Sequence, residues 1–180
     1  KYGLTGELPD LPQPSQGGRR LLVLGQVAND ASVALGAPGL NDRSALRRAR
    51  AAAQSEDIVI YKPHPDVLAG LRPGLTDGGP EADITLPNVD LPALFQQVEA
   101  VWTLTSLGGF EALLQGCAVT CLGTPFYAGW GLTQDLGPAC PRRQHGISLH
   151  GLIHAALIDY PRYWDPVTGL PCPVETLLDR

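Results

Sequence analysis

Four short apolar runs limit what this chain can fold into. They are Arg20–Gly25 (RLLVLG), Asp57–Tyr61 (DIVIY), Ala100–Leu104 (AVWTL) and Ala118–Leu122 (AVTCL). Each is nearly continuous in apolar residues, the pattern of a strand buried on both faces of a parallel sheet. Helical stretches separate them. Ser44–Gln54 is rich in Ala, Arg and Leu, with Asp42 or Ser44 expected as its cap. Asp90 opens a helix to about Glu99 with Pro92 in its first turn, and Gly109–Gln115 is stopped by Gly116. Strand and helix alternating in this way predict an α/β fold: a Rossmann-like parallel sheet with right-handed crossovers, flanked by helices. A short strand is expected near 82–85, a helix over 148–159 capped by Ser148, and a short helix over 174–178. Residues 26–42, 63–82 and 123–147 read as loops, and no internal repeat is visible.

Composition narrows the function classes. With 180 residues, 44% apolar and only 17% charged, the chain can build one sizeable core. Residues 1–20 read as a lead-in or linker, 21–160 as a nucleotide-sugar-binding domain, and 161–180 as a proline-rich tail with a short helix. A net charge of −5 disfavours nucleic acid as a partner, since that needs a basic face. It leaves room for an anionic small molecule in a local cationic pocket. The four cysteines form no C-x-x-C pair and read as free thiols, with Cys117 and Cys121 at a strand. No apolar run reaches the roughly 18 residues of a membrane span. The chain has no methionine and begins at Lys1, so it reads as a piece of a longer protein, with part of any active site elsewhere.

Chemistry-bearing residues gather where the apolar runs end, and ligands of open α/β sheets bind beyond the carboxyl ends of their strands. The second run ends in Tyr61-Lys62-Pro63-His64-Pro65. Each proline fixes its own φ and pushes the residue before it toward extended geometry, so Lys62 and His64 are presented at a strand end. A lysine charge beside a histidine donor suits an anion; a solvated strand end would use the same residues. The first run leads into Gly25–Ser32 (GQVANDAS). There Asp30 serves as nucleophile, base or ligand, or else as a turn or helix cap. The third run leads into Thr105–Gly116 (TSLGGFEALLQG), a hydroxyl-rich glycine turn opening a helix. Free N–H groups there favour phosphate, Gly108 permits close approach, and Glu111 lies in the first turn; an ordinary capped helix reads the same way. After the fourth run, Tyr127 and Trp130 either stack on a ligand or pin a loop. His150 and His154 have metal-pair spacing but no third ligand, and read as surface histidines. Arg142-Arg143 is a small basic patch.

These segments together resemble the capsule polysaccharide β-Kdo transferases of the KpsC type. The resemblance rests on GQVANDAS, YKPHPDV (61–67), TSLGGFEALLQG, GTPFYAGWGLTQD (123–135) and YPRYWDPVTGLPCPVE (160–175), in order over most of residues 21–178. It implies the nucleotide-binding Rossmann half of a GT-B glycosyltransferase module that takes Kdo from CMP-Kdo. The product would be the β-Kdo linker joining capsular polysaccharide to its lipid anchor. The implied reaction is a retaining double displacement. Asp30 would be the nucleophile and His64 the catalytic group at the donor phosphate or carboxylate. Gln26, Ser32, Lys62, Thr105, Ser106, Gly108, Glu111 and Tyr127 would bind the donor, with no metal and no further cofactor.

The resemblance also implies partners and a place of work. The partners are a lipid-linked Kdo acceptor, the missing N-terminal Rossmann half carrying the general base, and the capsule biosynthesis and export machinery. The place is the cytoplasmic face of the inner membrane of a Gram-negative bacterium, with the protein held peripherally. Another GT-B-like nucleotide-sugar enzyme (an epimerase or a different transferase) and a non-catalytic capsule assembly or export module remain as alternatives.

Overall fold

A computed structural model describes residues 9–143 and 145–179. They form two compact units that divide between Gly146 and Ile147. These limits differ from those read off the sequence. The lead-in packs with the first unit: Leu11 is buried, and the Arg19 amide donates to Asp57 Oδ1 at 2.7 Å. The helix after Ser148 belongs to the second unit.

The first unit is built on six strands: β1 (Arg20–Leu24), β2 (Ile58–Lys62), β3 (Ile84–Thr85), β4 (Ala100–Thr103), β5 (Ala118–Cys121) and β6 (Gln134–Asp135). They lie in the order β3-β2-β1-β4-β5-β6, and every neighbouring pair is parallel. This is the doubly wound Rossmann order, whose direction reverses between β1 and β4. Leu22 pairs with Ile60 on one side and Val101 on the other, and all three are fully buried. The continuous apolar runs are explained by that position at the centre of the sheet.

Two helices follow β1, namely α1 (Ala31–Gly36) and α2 (Asp42–Ala52); α3 (Pro65–Leu68) follows β2. α4 (Leu91–Phe95) precedes β4, and α5 (Leu107–Leu114) joins β4 to β5. Ala45, Leu46 and Ala49 of α2 pack in one cluster with Leu21, Val23, Val59 and Tyr61. The alanines let the helix lie close to the sheet, and burial of a side chain such as Leu46 stabilises by about 2 kcal/mol.

Several elements depart from expectation for identifiable reasons. α1 and α3 lie inside stretches read as loops, because Asp30 and His64 act as N-caps. The cap of α2 is Asn41, in a reciprocal box with Ser44, so Asp42 is inside the helix and buried. α4 stops at Phe95, short of Glu99. β6 lies inside the 123–147 stretch read as loop. Asp90, Ser106 and Ser148 do cap helices, and Gly116 adopts φ 82° after α5.

The second unit holds α6 (Leu149–His154), which continues as a π-helical turn over Ala155–Asp159. An antiparallel hairpin of β7 (Tyr163–Trp164) and β8 (Pro171–Cys172) follows, then α7 (Val174–Leu178). Asp165 closes the hairpin turn, accepting from the Val167 amide and the Thr168 hydroxyl, each at 2.9 Å. No helix among the described residues is long and apolar enough to cross a membrane.

Candidate donor site at the strand ends

A cleft of about 620 Å³ opens beyond the carboxyl ends of β1 and β2, at the amino end of α5. Through Gly25 and Ser106 it reaches the topological switch point between β1 and β4, where open α/β sheets bind ligands. Gly25 forms part of its floor, where a Cβ would come within 2.5 Å of Tyr61 Oη and 2.9 Å of the Lys62 carbonyl. Lys62, His64, Ser106, Gly108 and Glu111 all line the cleft, facing a wall that includes Leu91 and Phe95.

Lys62 is the unusual group. Its residue surface is only 6% exposed, and its ammonium makes no hydrogen bond or ion pair with a side chain among the described residues. Desolvation pulls its pKa below the usual lysine value. A desolvated cation without an anion is unfavourable, and an anionic ligand in the cleft removes the imbalance.

His64 sits on the same rim as the cap of α3. Its Nδ1 accepts from the Asp66 amide at 3.1 Å, so the neutral ring carries its proton on Nε2. Ser106 caps α5, its Oγ accepting from the Gly108 amide at 3.2 Å while keeping a hydroxyl proton to donate. Glu111 is exposed one turn into the same helix.

Asp30 lies outside the cleft lining, at the start of α1. Its Oδ1 accepts from the Ser32 hydroxyl at 2.6 Å and the Ser32 amide at 2.8 Å. Those two bonds hold its carboxyl below the usual range, and the charge of Arg72 adds to the effect, as does His64 when its ring is protonated. Asp30 is therefore a firmly ionised, oriented carboxylate near His64.

The expected donor-binding set divides in three. Lys62, His64, Ser106, Gly108 and Glu111 share the cleft. Gln26, Ser32 and Thr105 form a network beside Asp30 instead: the Gln26 amide nitrogen is 3.0 Å from Thr105 Oγ1, which is 3.2 Å from Ser32 Oγ. Tyr127 is a correction. It is fully buried, its hydroxyl donates to the Ser106 carbonyl, and its ring packs edge-on to Phe126, so it has no face to offer a ligand. Gly109 makes room for it, since a Cβ there would come within 2.2 Å of Tyr127 Oη.

Trp130 and Arg143 are likewise structural: the indole donates to the Phe126 carbonyl at 2.8 Å, and the guanidinium lies 5.8 Å from the indole ring centre. The guanidinium also donates to the carbonyls of Pro125 and Ala128. His150 and His154 are exposed on α6, His154 pairing with Asp159 at 3.0 Å. No cluster of three possible metal ligands occurs among the described residues. Cys117 and Cys121 are free and buried.

Sequence reasoning missed Arg72, whose Nη2 donates to Asn29 Oδ1 at 3.0 Å from a stretch read only as loop. It also missed the buried Asp42, which accepts from Tyr61 Oη at 2.8 Å and is pushed up to about 6 by desolvation. A lone Asp at a helix start gives no sequence signal of burial.

Comparison with known proteins fits this geometry. The profile of the family described as capsule polysaccharide biosynthesis protein matches residues 10–163. The chain is 44% identical over 170 residues to the capsule polysaccharide modification protein LipA of Neisseria meningitidis serogroup B, covering 93% of this chain and 24% of LipA. It is 42% identical to the lipopolysaccharide-processing protein LpsZ of Rhizobium meliloti, covering 97% of this chain and 40% of LpsZ. Two solved structures of Thermosulfurimonas dismutans KpsC superpose well. The β-Kdo 2,7 transferase gives a TM-score of 0.77 at 35% identity, over 92% of this chain and 54% of that one. The β-Kdo 2,4 transferase gives 0.75 at 31%, over 92% and 52%. The chain thus spans about half of each solved chain and less than half of each curated relative.

Proposed function

The chain belongs to the capsule polysaccharide biosynthesis protein family, and from that premise we propose that it is the nucleotide-binding half of a glycosyltransferase module that transfers Kdo from CMP-Kdo. The observation that carries the reading is Lys62, a buried ammonium without an anionic partner among the described residues, lining the cleft at the sheet's switch point. CMP-Kdo brings two anionic groups, a phosphate and the sugar carboxylate. Lys62 meets one of them, and the Nε2–H of His64 and the hydroxyl of Ser106 donate to the phosphate. Glu111 accepts from ribose hydroxyls. These groups neutralise the departing phosphate, so the reading calls for no metal.

The Asp30 carboxylate attacks the anomeric carbon, the bond from that carbon to the phosphate oxygen breaks, and CMP leaves with the electron pair. In the second half-reaction an acceptor hydroxyl attacks the same carbon and displaces Asp30. Its proton passes to a base on the facing Rossmann half of the module. Two inversions give net retention. The acceptor is a lipid-linked Kdo, the product is the β-Kdo linker of capsular polysaccharide, and the work is done at the cytoplasmic face of a Gram-negative inner membrane beside the capsule export machinery.

Donor identity is tested by thermal shift. CMP is expected to raise the Tm of the intact protein in a saturable way, while UMP at the same concentration does not. Equal shifts, or none with CMP, speak against this donor.

A further inference from the structure

We propose that Gln26 and Thr105 are positioning residues, which act through Ser32 to fix Asp30 with Oδ1 engaged and Oδ2 presented to the reacting carbon. The proposal rests on the reading that Asp30 is the group that reacts. It takes Gln26, Ser32 and Thr105 out of the set that touches the donor.

The direction of every proton in this network follows from its two ends, a backbone amide that can only donate and an Asp30 carboxylate that can only accept. The Thr105 amide can only donate, so the Gln26 atom 2.9 Å from it is the side-chain oxygen. The Thr103 hydroxyl, 3.3 Å from the same oxygen, donates to it as well. The Gln26 amide nitrogen must then face Thr105 Oγ1, at 3.0 Å, and donate. Thr105 Oγ1 passes its own proton toward Ser32 Oγ at 3.2 Å, and Ser32 Oγ donates to Asp30 Oδ1 at 2.6 Å. Oδ1 also receives the Ser32 amide at 2.8 Å, while Oδ2 receives no hydrogen bond among the described residues. A proton on Oδ1 would confront two donors, so the network favours the anion and leaves the second oxygen for chemistry.

The anchor of the relay is rigid. The Gln26 backbone N–H donates to both oxygens of buried Asp42, at 3.0 and 3.1 Å, and Gln26 itself is buried. The relay joins loops 79 positions apart, one after β1 and one after β4, so it keeps Asp30 in register with the amino end of α5. The charged or titratable groups near Asp30 are Arg72 and His64. Both favour the same ionised state and both are untouched by changes at Thr105.

The test uses Thr105→Val, which removes the hydroxyl at nearly constant volume, and Thr105→Ser, which restores it. Ser32→Ala, which deletes the last donor, is the second route. In the intact protein the Asp30 carboxyl is titrated by carbon-13 NMR, its signal assigned by its absence in Asp30→Asn. Thr105→Val is expected to raise the titration midpoint by roughly half a pH unit, Ser32→Ala by about one unit, and Thr105→Ser to return it to the original value. Kdo transfer should lose about tenfold in kcat in Thr105→Val, with KM for the donor within about twofold and the acid limb of the profile moved to higher pH. An unmoved titration in both Thr105→Val and Ser32→Ala overturns the relay, as does a Thr105→Ser variant no better than Thr105→Val. If Asp30→Asn still transfers Kdo while the titration shifts occur, the relay stands and the reaction assigned to Asp30 falls.

Discussion

Lys62 and Asp30 follow neighbouring strands of one sheet, yet they are held in opposite ways. Lys62 ends β2 buried and without a partner for its charge among the described residues. Asp30, in the loop after β1, has one carboxylate oxygen saturated by two donors and tied through Ser32 and Thr105 to the core. A binding group held ready for an anion gains most from that anion when nothing else competes for it. A reacting group gains from being fixed in charge and direction before the substrate arrives. On the proposed reading, recognition falls to the end of β2 and chemistry to the loop after β1.

Lys62→Met would break the comparison most sharply, since it keeps the aliphatic stem and removes the charge. Donor affinity should fall by about tenfold or more, the loss of a charge-assisted contact. Stability should move the other way. Burial lowers the lysine pKa in the folded chain, so the charged form is disfavoured there, and stability rises as pH climbs through the folded value. At neutral pH the variant should melt a few degrees higher, on the order of 2–4 °C for a gain of about 1 kcal/mol. Calorimetry with and without CMP reads both effects. A variant that binds normally, or that melts lower, makes Lys62 a structural residue.

Asp42 sharpens the other side, because it anchors the relay from below. Its pKa is pushed up to about 6 by burial, above an unfolded value near 3.8. The folded chain therefore binds more protons than the unfolded chain between those values, and the carboxyl's contribution to stability falls as pH rises through that window. Relative to Asp42→Asn, which cannot titrate, the natural chain should gain about 1 kcal/mol or more on going from pH 7 to pH 5. Denaturant unfolding of both proteins at the two pH values measures the difference. A difference that stays constant, or that changes sign, removes the burial of an ionisable Asp42 from the picture.

Much of the frame was legible in the sequence because it rests on local rules. Continuous apolar runs marked β1, β2, β4 and β5, and Ser106, Asp90 and Ser148 marked helix starts. The grouping of Lys62, His64, Ser106 and Glu111 followed from the single rule that ligands meet strand ends. What escaped depended on partners distant in sequence. Gln26 entered the donor set through the resemblance alone, and its hydrogen bonds to Thr103 and Thr105 could not be read locally because those residues lie across the sheet on β4 and its following turn. Tyr127 looked exposed on a glycine-rich loop, and its burial depends on the missing side chain of Gly109. Asp42 looked like a cap because Asn41 beside it caps equally well, and only packing chooses between them.

The most direct measurement of the central claim is mass analysis of the Asp30 peptide after the intact protein is mixed with CMP-Kdo in the absence of acceptor. An adduct of the mass of one Kdo residue is expected on the peptide carrying Asp30, and none in Asp30→Asn. CMP release with the Asp30 peptide unmodified, or an adduct that persists in Asp30→Asn, would contradict it.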